Sequence, residues 1–475
     1  MIAVPLPSAV RRLLTSSAAC VAFSLAPGAA QTTLTLAEAE ERAVAHSFAM
    51  RSAQLDRAKA DRDIKELTAT GLPQVNLVSD YTNYIDLPAQ VVPADAFGFP
   101  SYLTDFFSGV SDETGVALNA PAPDPSGTSV LRFGNRHTLN AGIEASQLLF
   151  SGSYLVGLQA SKRFAETRDW ALKRTEQEVR RAVTDAYVLA AVAEENVRVV
   201  DEALALVQRS LNEMGVMYDA GFVDLVDVEQ LELTVAEWER AAAEARTSRL
   251  LARRVLAHQC GLSIEAPPAP AEGVEDLFGK VSGADLLGRT WNSEVLPEVR
   301  EQQLLVELAG LDVKNKQAAG LPVLSAFYVN RANAQRESFD FFRSGQDWFP
   351  VQLVGVNMSV PLWTSTGGKQ RVEKARIEEE RAEAGLAEMT RGLALDHAAA
   401  RTEFENATAA LSQRRSEAAL AERLYTRTEE AFRAGVRSSF DLTQARNRWV
   451  EARGGVVAAQ LAWLNARTRL LYTLS

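Results

Sequence analysis

One stretch occurs twice without a gap, and it restricts the fold more than any other feature of the chain. The first copy places Tyr218, Ala220, Gly221, Asp227, Val228 and Gln230 where the second places Phe432, Ala434, Gly435, Asp441, Leu442 and Gln444, at a constant offset of 214. Both read aromatic-x-Ala-Gly, five residues, then Asp-aliphatic-x-Gln. Glycine takes the left-handed conformation that ends a helix, and an Asp or Ser a few residues on accepts a hydrogen bond from the free amides that open the next. The stretch is therefore a helix-to-helix corner, and taken alone it specifies two capped αα-hairpins. Its repetition makes the chain two copies of one unit, although 475 residues would by length alone suggest about three domains.

The sequence around each corner repeats as well. Residues 33–70 are rich in Ala, Glu, Arg and Leu, and Thr35 with Glu38 makes a capping box, so a helix is expected up to Gly71-Leu72-Pro73. A strand through Val75, Leu77 and Tyr81 follows. Its partner is clearer, because Leu139, Ala141, Ile143 and Ala145 alternate with Asn140, Gly142, Glu144 and Ser146. Residues 86–135, rich in proline, Gly, Ser and aromatic residues, read as a long irregular loop between the two strands. In the second half a helix over 296–319 stops at Gly320-Leu321-Pro322. Strands through Leu324, Ala326 and Tyr328 and through Val354, Val356, Met358 and Val360 lead to Leu362-Trp363-Thr364, matching Leu149-Phe150-Ser151. The offset between the halves falls from 249 at Gly-Leu-Pro to 213 at the Leu-aromatic pair, so the first hairpin carries 36 extra residues.

Between strands and corners run two long helical patterns of nearly equal length. From Val179 through Val183, Ala186, Ala190, Val197, Leu204, Val207, Leu211 and Met214 to Tyr218 the apolar positions step by four and three, the 3.5 period of a left-handed coiled coil. A helix over 154–217 is roughly 90 Å long at 1.5 Å per residue. The returning helices, about 224–260 and after 441, keep the same rhythm with many alanines. Such small residues suit helices lying closely side by side.

Composition narrows the possibilities. Arg11 and Arg12, an uncharged run and Ala26-Pro27-Gly28-Ala29-Ala30 have the order of an export signal over 1–30, cleaved after Ala30. Cys20 is a poor candidate for lipidation, because Ser17 stands where a large aliphatic residue is needed. The formal charge of −11 falls to about −13 when the signal is removed, which disfavours nucleic acid as a partner. Cys260 is then the only cysteine, and the four histidines have no metal-ligand spacing, so neither a disulfide nor a metal or other cofactor is expected. No Ser/His/Asp constellation or phosphate loop suggests an enzyme. No run of eighteen apolar residues follows residue 30, which leaves a secreted soluble protein or a β-barrel. Four amphipathic strands cannot close a barrel alone, whereas three copies supply twelve.

The double repeat, the Gly-Leu-Pro exits from helix to strand, the Leu149-Phe150-Ser151-Gly152 and Leu362-Trp363-Thr364-Ser365 exits into long helices and the two corners together resemble the TolC-like outer-membrane efflux protein family. The resemblance implies an α+β, mainly α fold. It implies a homotrimer in which a transmembrane 12-stranded β-barrel, four strands per chain, is embedded in outer-membrane lipid of a Gram-negative bacterium and continued by a long periplasmic α-helical coiled-coil barrel. Its domains are then 31–265 for the first repeat, 266–295 for a Pro/Ala-rich linker and equatorial segment, and 296–475 for the second repeat. The implied function is a passive exit duct, opened by an inner-membrane pump and its periplasmic adaptor, a membrane fusion protein. Glu144 and Asn140 would face its lumen.

By the same resemblance the corners form the periplasmic mouth. Asp227 and Asp441 match the family's aspartates near the constriction, and Arg437 and Phe432 match a basic and an aromatic residue that hold it shut, with Tyr218 and Asp224 beside them in the first copy. Three copies of Asp441 around a narrow pore would repel one another and favour cations, Arg437 offsetting part of that repulsion. The same aspartates also suit the first turn of a helix and nothing more. Gln444 stands where some members carry a second aspartate, which argues against a double acidic ring. Gly221-Phe222-Val223 and Gly435-Val436 are the turns an adaptor would meet. Two other functions fit parts of the pattern: the outer-membrane component of a type I protein secretion system, and a soluble periplasmic coiled-coil adaptor, which explains the heptads and leaves the four strands unexplained.

Overall fold

The computed structural model describes residues 33–93, 101–116, 128–279 and 286–474, so the expected export signal lies outside the described residues. In chain order these residues form β1 (Thr33–Leu34), α1 (Leu36–His46), α2 (Phe48–Thr70), β2 (Gln74–Asn83), β3 (Ala89–Pro93), α3 (Ser101–Thr114), β4 (Thr128–Arg132), β5 (His137–Ser151), α4 (Gly152–Asp219) and α5 (Leu225–Gln259). There follow β6 (Ala269–Pro270), α6 (Val274–Gly279), a single 3-10 turn (Ser293–Val295), α7 (Pro297–Ala318), β7 (Val323–Arg336), β8 (Phe349–Ser359), α8 (Gly367–Arg433) and α9 (Ser439–Thr473). The expected repeat is explicit: helix, strand pair, long helix, corner and shorter helix occur twice. The long helices hold 68 and 67 residues and the returning helices 35 each. Both Gly-Leu-Pro exits close with the same turn. Gly71 N donates to Thr68 O (3.1 Å) and Leu72 N to Ala69 O (3.0 Å), as Gly320 N does to Gln317 O (3.1 Å) and Leu321 N to Ala318 O (3.0 Å).

The chain divides into two compact units. One holds residues 52–174 and 293–394 and contains an antiparallel sheet in the order β2-β5-β7-β8. The central pair joins the two halves of the sequence, with His137 opposite Arg336 at one end and Ser151 opposite Val323 at the other, interrupted by a bulge at Leu149. Among the described residues β2 pairs only with β5 and β8 only with β7, so each outer strand keeps one unpaired edge. All ten residues of β2 are exposed.

The other unit holds the residues up to Arg51, 175–292 and 395–475. Its core is the predicted seam: Val179, Val183, Ala186, Ala190, Val197, Val207 and Met214 of α4 are buried, with Leu231, Ala242 and Ala245 of α5. The segment 266–295 contributes more than a link. β6 pairs in parallel with β1, Val274 and Leu277 of α6 are buried, and Phe278 packs on Trp463 with ring centroids 4.5 Å apart. Tyr187 fastens this region. Its hydroxyl donates to Leu34 O (3.0 Å) and accepts from Glu272 N (3.1 Å), while Glu272 accepts from Leu36 N (2.9 Å). Burial pushes the Tyr187 phenol well above its ordinary range, so it keeps its proton.

Two expectations are corrected. The helix over 33–70 is two helices, broken at Ser47, which is extended (φ −67°, ψ 147°) and accepts from Met50 N (3.3 Å) to open α2. A serine that caps the following helix competes with continuation of the preceding one. The Thr35–Glu38 capping box is present. Within 86–135 the chain is not wholly irregular: β3 and β4 form a hairpin of five paired positions, and α3 stands between them. Val91 and Val92 face Val130 and Ser129, and β-branched cross-strand pairs outweigh the prolines, of which Pro93 closes its strand where a donor is dispensable. Among the described residues no helix is long and apolar enough to cross a membrane.

Candidate functional site

The two corners share one backbone. In the first, Gly221 N donates to Tyr218 O (2.8 Å) and Phe222 N to Met217 O (2.9 Å). In the second, Gly435 N donates to Phe432 O (2.9 Å) and Val436 N to Ala431 O (2.9 Å). This double bond pattern is the Schellman end of a helix, and it requires left-handed backbone at the glycine, found at φ +78° for Gly221 and +73° for Gly435. Glycine takes that conformation at no steric cost, whereas most side chains do so only with strain.

The next helix opens differently in the two copies. Ser438 is the N-cap of α9: its hydroxyl accepts from Asp441 N (3.2 Å), and the Asp441 carboxylate accepts from Ser438 N (3.3 Å), a complete capping box. Asp224 takes the same backbone position before α5 (φ −85°, ψ 156°) but makes no side-chain cap bond. A box joins a neutral hydroxyl to an acid, whereas positions 224 and 227 are both aspartates. The cap and Arg437, whose guanidinium lies 3.8 Å from Asp441, act together on that carboxyl. The Ser438 amide is the largest influence, followed by the Ser438 hydroxyl and Arg437, and all hold it below its ordinary value of 3.8. Its charge therefore persists through mildly acidic pH and is lost only below the usual aspartate range. Replacing Ser438 by Ala should weaken this corner by about 1 kcal/mol, seen as earlier proteolysis at 434–438 with the carboxylate still charged.

The corners lie side by side. A groove of about 560 Å³ between them is lined by Asp224, Asp227, Phe432, Arg433, Arg437 and Ser438, with Gly221, Phe222 and Val223 along its edge. Asp441 does not line it. Together with Arg437, Gln444, Arg448 and Glu417 it borders a second groove of about 310 Å³ between α8 and α9. The two aspartates that the repeat makes equivalent thus face different spaces, and Arg437 lines both. Tyr218 is half-exposed and lines neither groove. Of the turn residues, Phe222 (82% exposed) and Val436 (76%) project into solvent. Val223 does not, because it packs with Phe432, Val228 and Leu211 against the buried cluster of Val207, Met214 and Leu231 that joins α4 to α5. Phe432, expected at the mouth, is a packing residue of that cluster as well as a groove residue.

Arg446 on α9 was not singled out from the sequence. It is 1% exposed, lies near the Tyr425 hydroxyl, and its Nε and Nη2 have no hydrogen-bond partner. The available signal was its spacing, four residues after Leu442 on the seam face, where an apolar residue belongs. Among the described residues no three His, Cys, Asp or Glu side chains converge as metal ligands.

Residues 294–474 match the family described as "Outer membrane efflux protein". The chain is 24% identical over 331 residues to the outer membrane protein TolC of Vibrio cholerae, covering 66% of this chain and 71% of that one. It is 23% identical over 171 residues to the proteases secretion protein PrtF of Dickeya chrysanthemi, a match spanning 35% of this chain and 36% of that relative. The fold is shared with the crystal structure of the outer membrane protein VceC of Vibrio cholerae, at a TM-score of 0.66 and 15% identity over 92% of this chain and 95% of that one.

Proposed function

We propose that this chain, whose residues 294–474 match the outer membrane efflux protein family, is the outer-membrane exit duct of a tripartite export system. The observation that carries the reading is the β2-β5-β7-β8 sheet, which has a free edge on each side and one predominantly apolar face. A sheet that spans lipid tolerates no open edge, so β8 of one copy meets β2 of the next, and three copies close twelve strands. The long helices of the three copies extend this barrel into the periplasm. The duct makes and breaks no bonds, and energy comes from an inner-membrane pump acting through a periplasmic adaptor.

In this reading the paired corners are the periplasmic mouth. Phe222 and Val436 are the apolar tips an adaptor meets at the Gly221 and Gly435 turns, and Val223 supports its turn from beneath. Asp227, Asp224 and Arg437 border one groove, and Asp441 the other, so two acidic positions per chain act at different places around the opening. Phe432 ties α8 to the cluster that holds α4 and α5 together, which makes it a brace of the closed mouth, with Tyr218 beside it. The likeness to PrtF supports a second cargo for the same duct, a secreted polypeptide.

The test is conductance of the detergent-extracted protein in planar bilayers, with its mass measured by light scattering. A trimer is expected. Asp441→Asn should raise conductance and lower cation preference, whereas Ser438→Ala, which loses the cap and keeps the charge, should leave preference unchanged. Equal changes in both variants would assign Asp441 to capping alone. A protein that extracts without detergent as a monomer or dimer would overturn the duct.

A further inference from the structure

The sheet separates two kinds of side chain, and one of its faces carries charges that the corners do not account for. Register places Asp80, Asn140 and Asn333 in one row across β2, β5 and β7, with Val78, Gly142 and Arg331 in the next and Asn76, Glu144 and Val329 beyond it. These rows share a face. Asn140 Nδ2 donates to Asp80 Oδ2 (2.7 Å), and Asn333 Nδ2 donates to Asn140 Oδ1 (2.5 Å), so one ladder of side-chain bonds crosses three strands. One row along, the Arg331 guanidinium lies 3.9 Å from the Glu144 carboxylate. The opposite face presents Val75, Leu77, Ile143, Tyr328, Val354, Val356 and Met358, all substantially exposed. Lipid solvates the second face at low cost and the first at high cost, because an ionised side chain at the middle of a bilayer costs roughly 2.5–3.5 kcal/mol by insertion scales.

We propose that Asp80, Glu144 and Arg331 form, in three copies around the inner wall of the barrel, a charge belt that passes cationic solutes more readily than anionic ones. The inference rests on the duct reading and adds to it a selective element in the barrel, separate from the corners. Arg331 is the only cation of the three, and Glu144 holds it. Asp80 is left as the uncompensated charge, fixed in orientation by the Asn140 amide. Gly142 gives the belt its shape. A Cβ there would lie 2.3 Å from Arg331 Cα, so no side chain can stand in the middle row of β5 between Glu144 and Asn140. Arg331 is thereby free to lean along β5 to Glu144.

The experiment is the reversal potential of the reconstituted wild-type channel and three variants across a salt gradient centred near 10 mM, where the screening length is about 30 Å and wall charges reach the lumen. Glu144→Gln, which releases Arg331, and Asp80→Asn, which removes the uncompensated carboxylate, should each lower the cation-to-anion permeability ratio by roughly a factor of two or more, and Arg331→Gln should raise it. Opposite signs for Glu144→Gln and Arg331→Gln are the signature, since general damage to the sheet moves both the same way. The double variant should return toward wild type. Trimeric, conducting variants with unchanged reversal potentials would overturn the belt and leave the duct standing. Loss of trimer and conductance from the wild type as well would overturn both.

Discussion

Gly142→Val will abolish the assembled β-sheet. Gly142 sits in the middle of β5, which is paired on both sides, to Val78 of β2 and Arg331 of β7. A Cβ added there would lie 2.3 Å from both Cα and Cβ of Arg331 and 2.4 Å from the carbonyl oxygen of Asn330. Two of these three atoms are backbone, and a ladder of fourteen paired positions holds that backbone in place, so rotation of a flexible side chain cannot relieve the contact. Overpacking in ordinary cores costs about 1–3 kcal/mol, and a clash against main chain in a central strand belongs at or above the upper end. The expected result is loss of the trimer on light scattering and of conductance, with little protein recovered from the membrane fraction. Ala141→Val, one residue away on the opposite apolar face, should assemble normally. A conducting trimer from Gly142→Val would mean that β5 and β7 lie farther apart in the assembled protein.

Arg446→Met will raise thermal stability. A guanidinium cannot shed its charge at any pH at which the protein folds, and burial, the largest influence on Arg446, acts against that charge with only the Tyr425 hydroxyl opposing it. Around it Tyr425 stacks on Trp449 with ring centroids 5.2 Å apart, so the neighbourhood is aromatic. Replacing buried ionic groups by apolar side chains of similar volume stabilises other proteins by about 1–4 kcal/mol, and Arg446 lacks even a paired acid to offset its desolvation. Met fills the space of the side-chain stem, and the melting temperature should rise by several degrees. Arg446→Ala should gain less, because it also leaves a void beside the Tyr425–Trp449 stack. A fall in melting temperature for Arg446→Met would show that the guanidinium finds an acceptor on another subunit.

Much of this architecture was legible because it depends on contacts a few residues apart. Gly221 and Gly435 ended their helices, Thr35 and Glu38 made their box, and the four-three rhythm from Val179 to Met214 became the buried stripe of α4, since each follows from the geometry of one or two helical turns. The period of two in Leu139–Ala145 likewise placed Asn140 and Glu144 on the polar face. The break at Ser47 was not legible, because a serine inside an Ala-rich run carries no mark of whether its hydroxyl will cap. The β3–β4 hairpin was hidden by prolines in a segment whose pairing spans some forty residues.

The sequence by itself therefore determined the repeat, the order of the four sheet strands and the long helices, and the local chemistry of both corners. Tertiary structure decided what the repeat cannot encode. The equivalent Asp227 and Asp441 face different grooves, Val223 packs inward where its counterpart Arg437 stays exposed, and β6 finds β1 across more than two hundred residues. It alone brought Arg331 against Gly142 and buried Arg446 with two of its guanidinium nitrogens unbonded. The division is physical: hydrogen bonds within a turn are set by neighbours in the chain, whereas the surroundings of a side chain are set by whichever distant segments the packing of the whole brings to it.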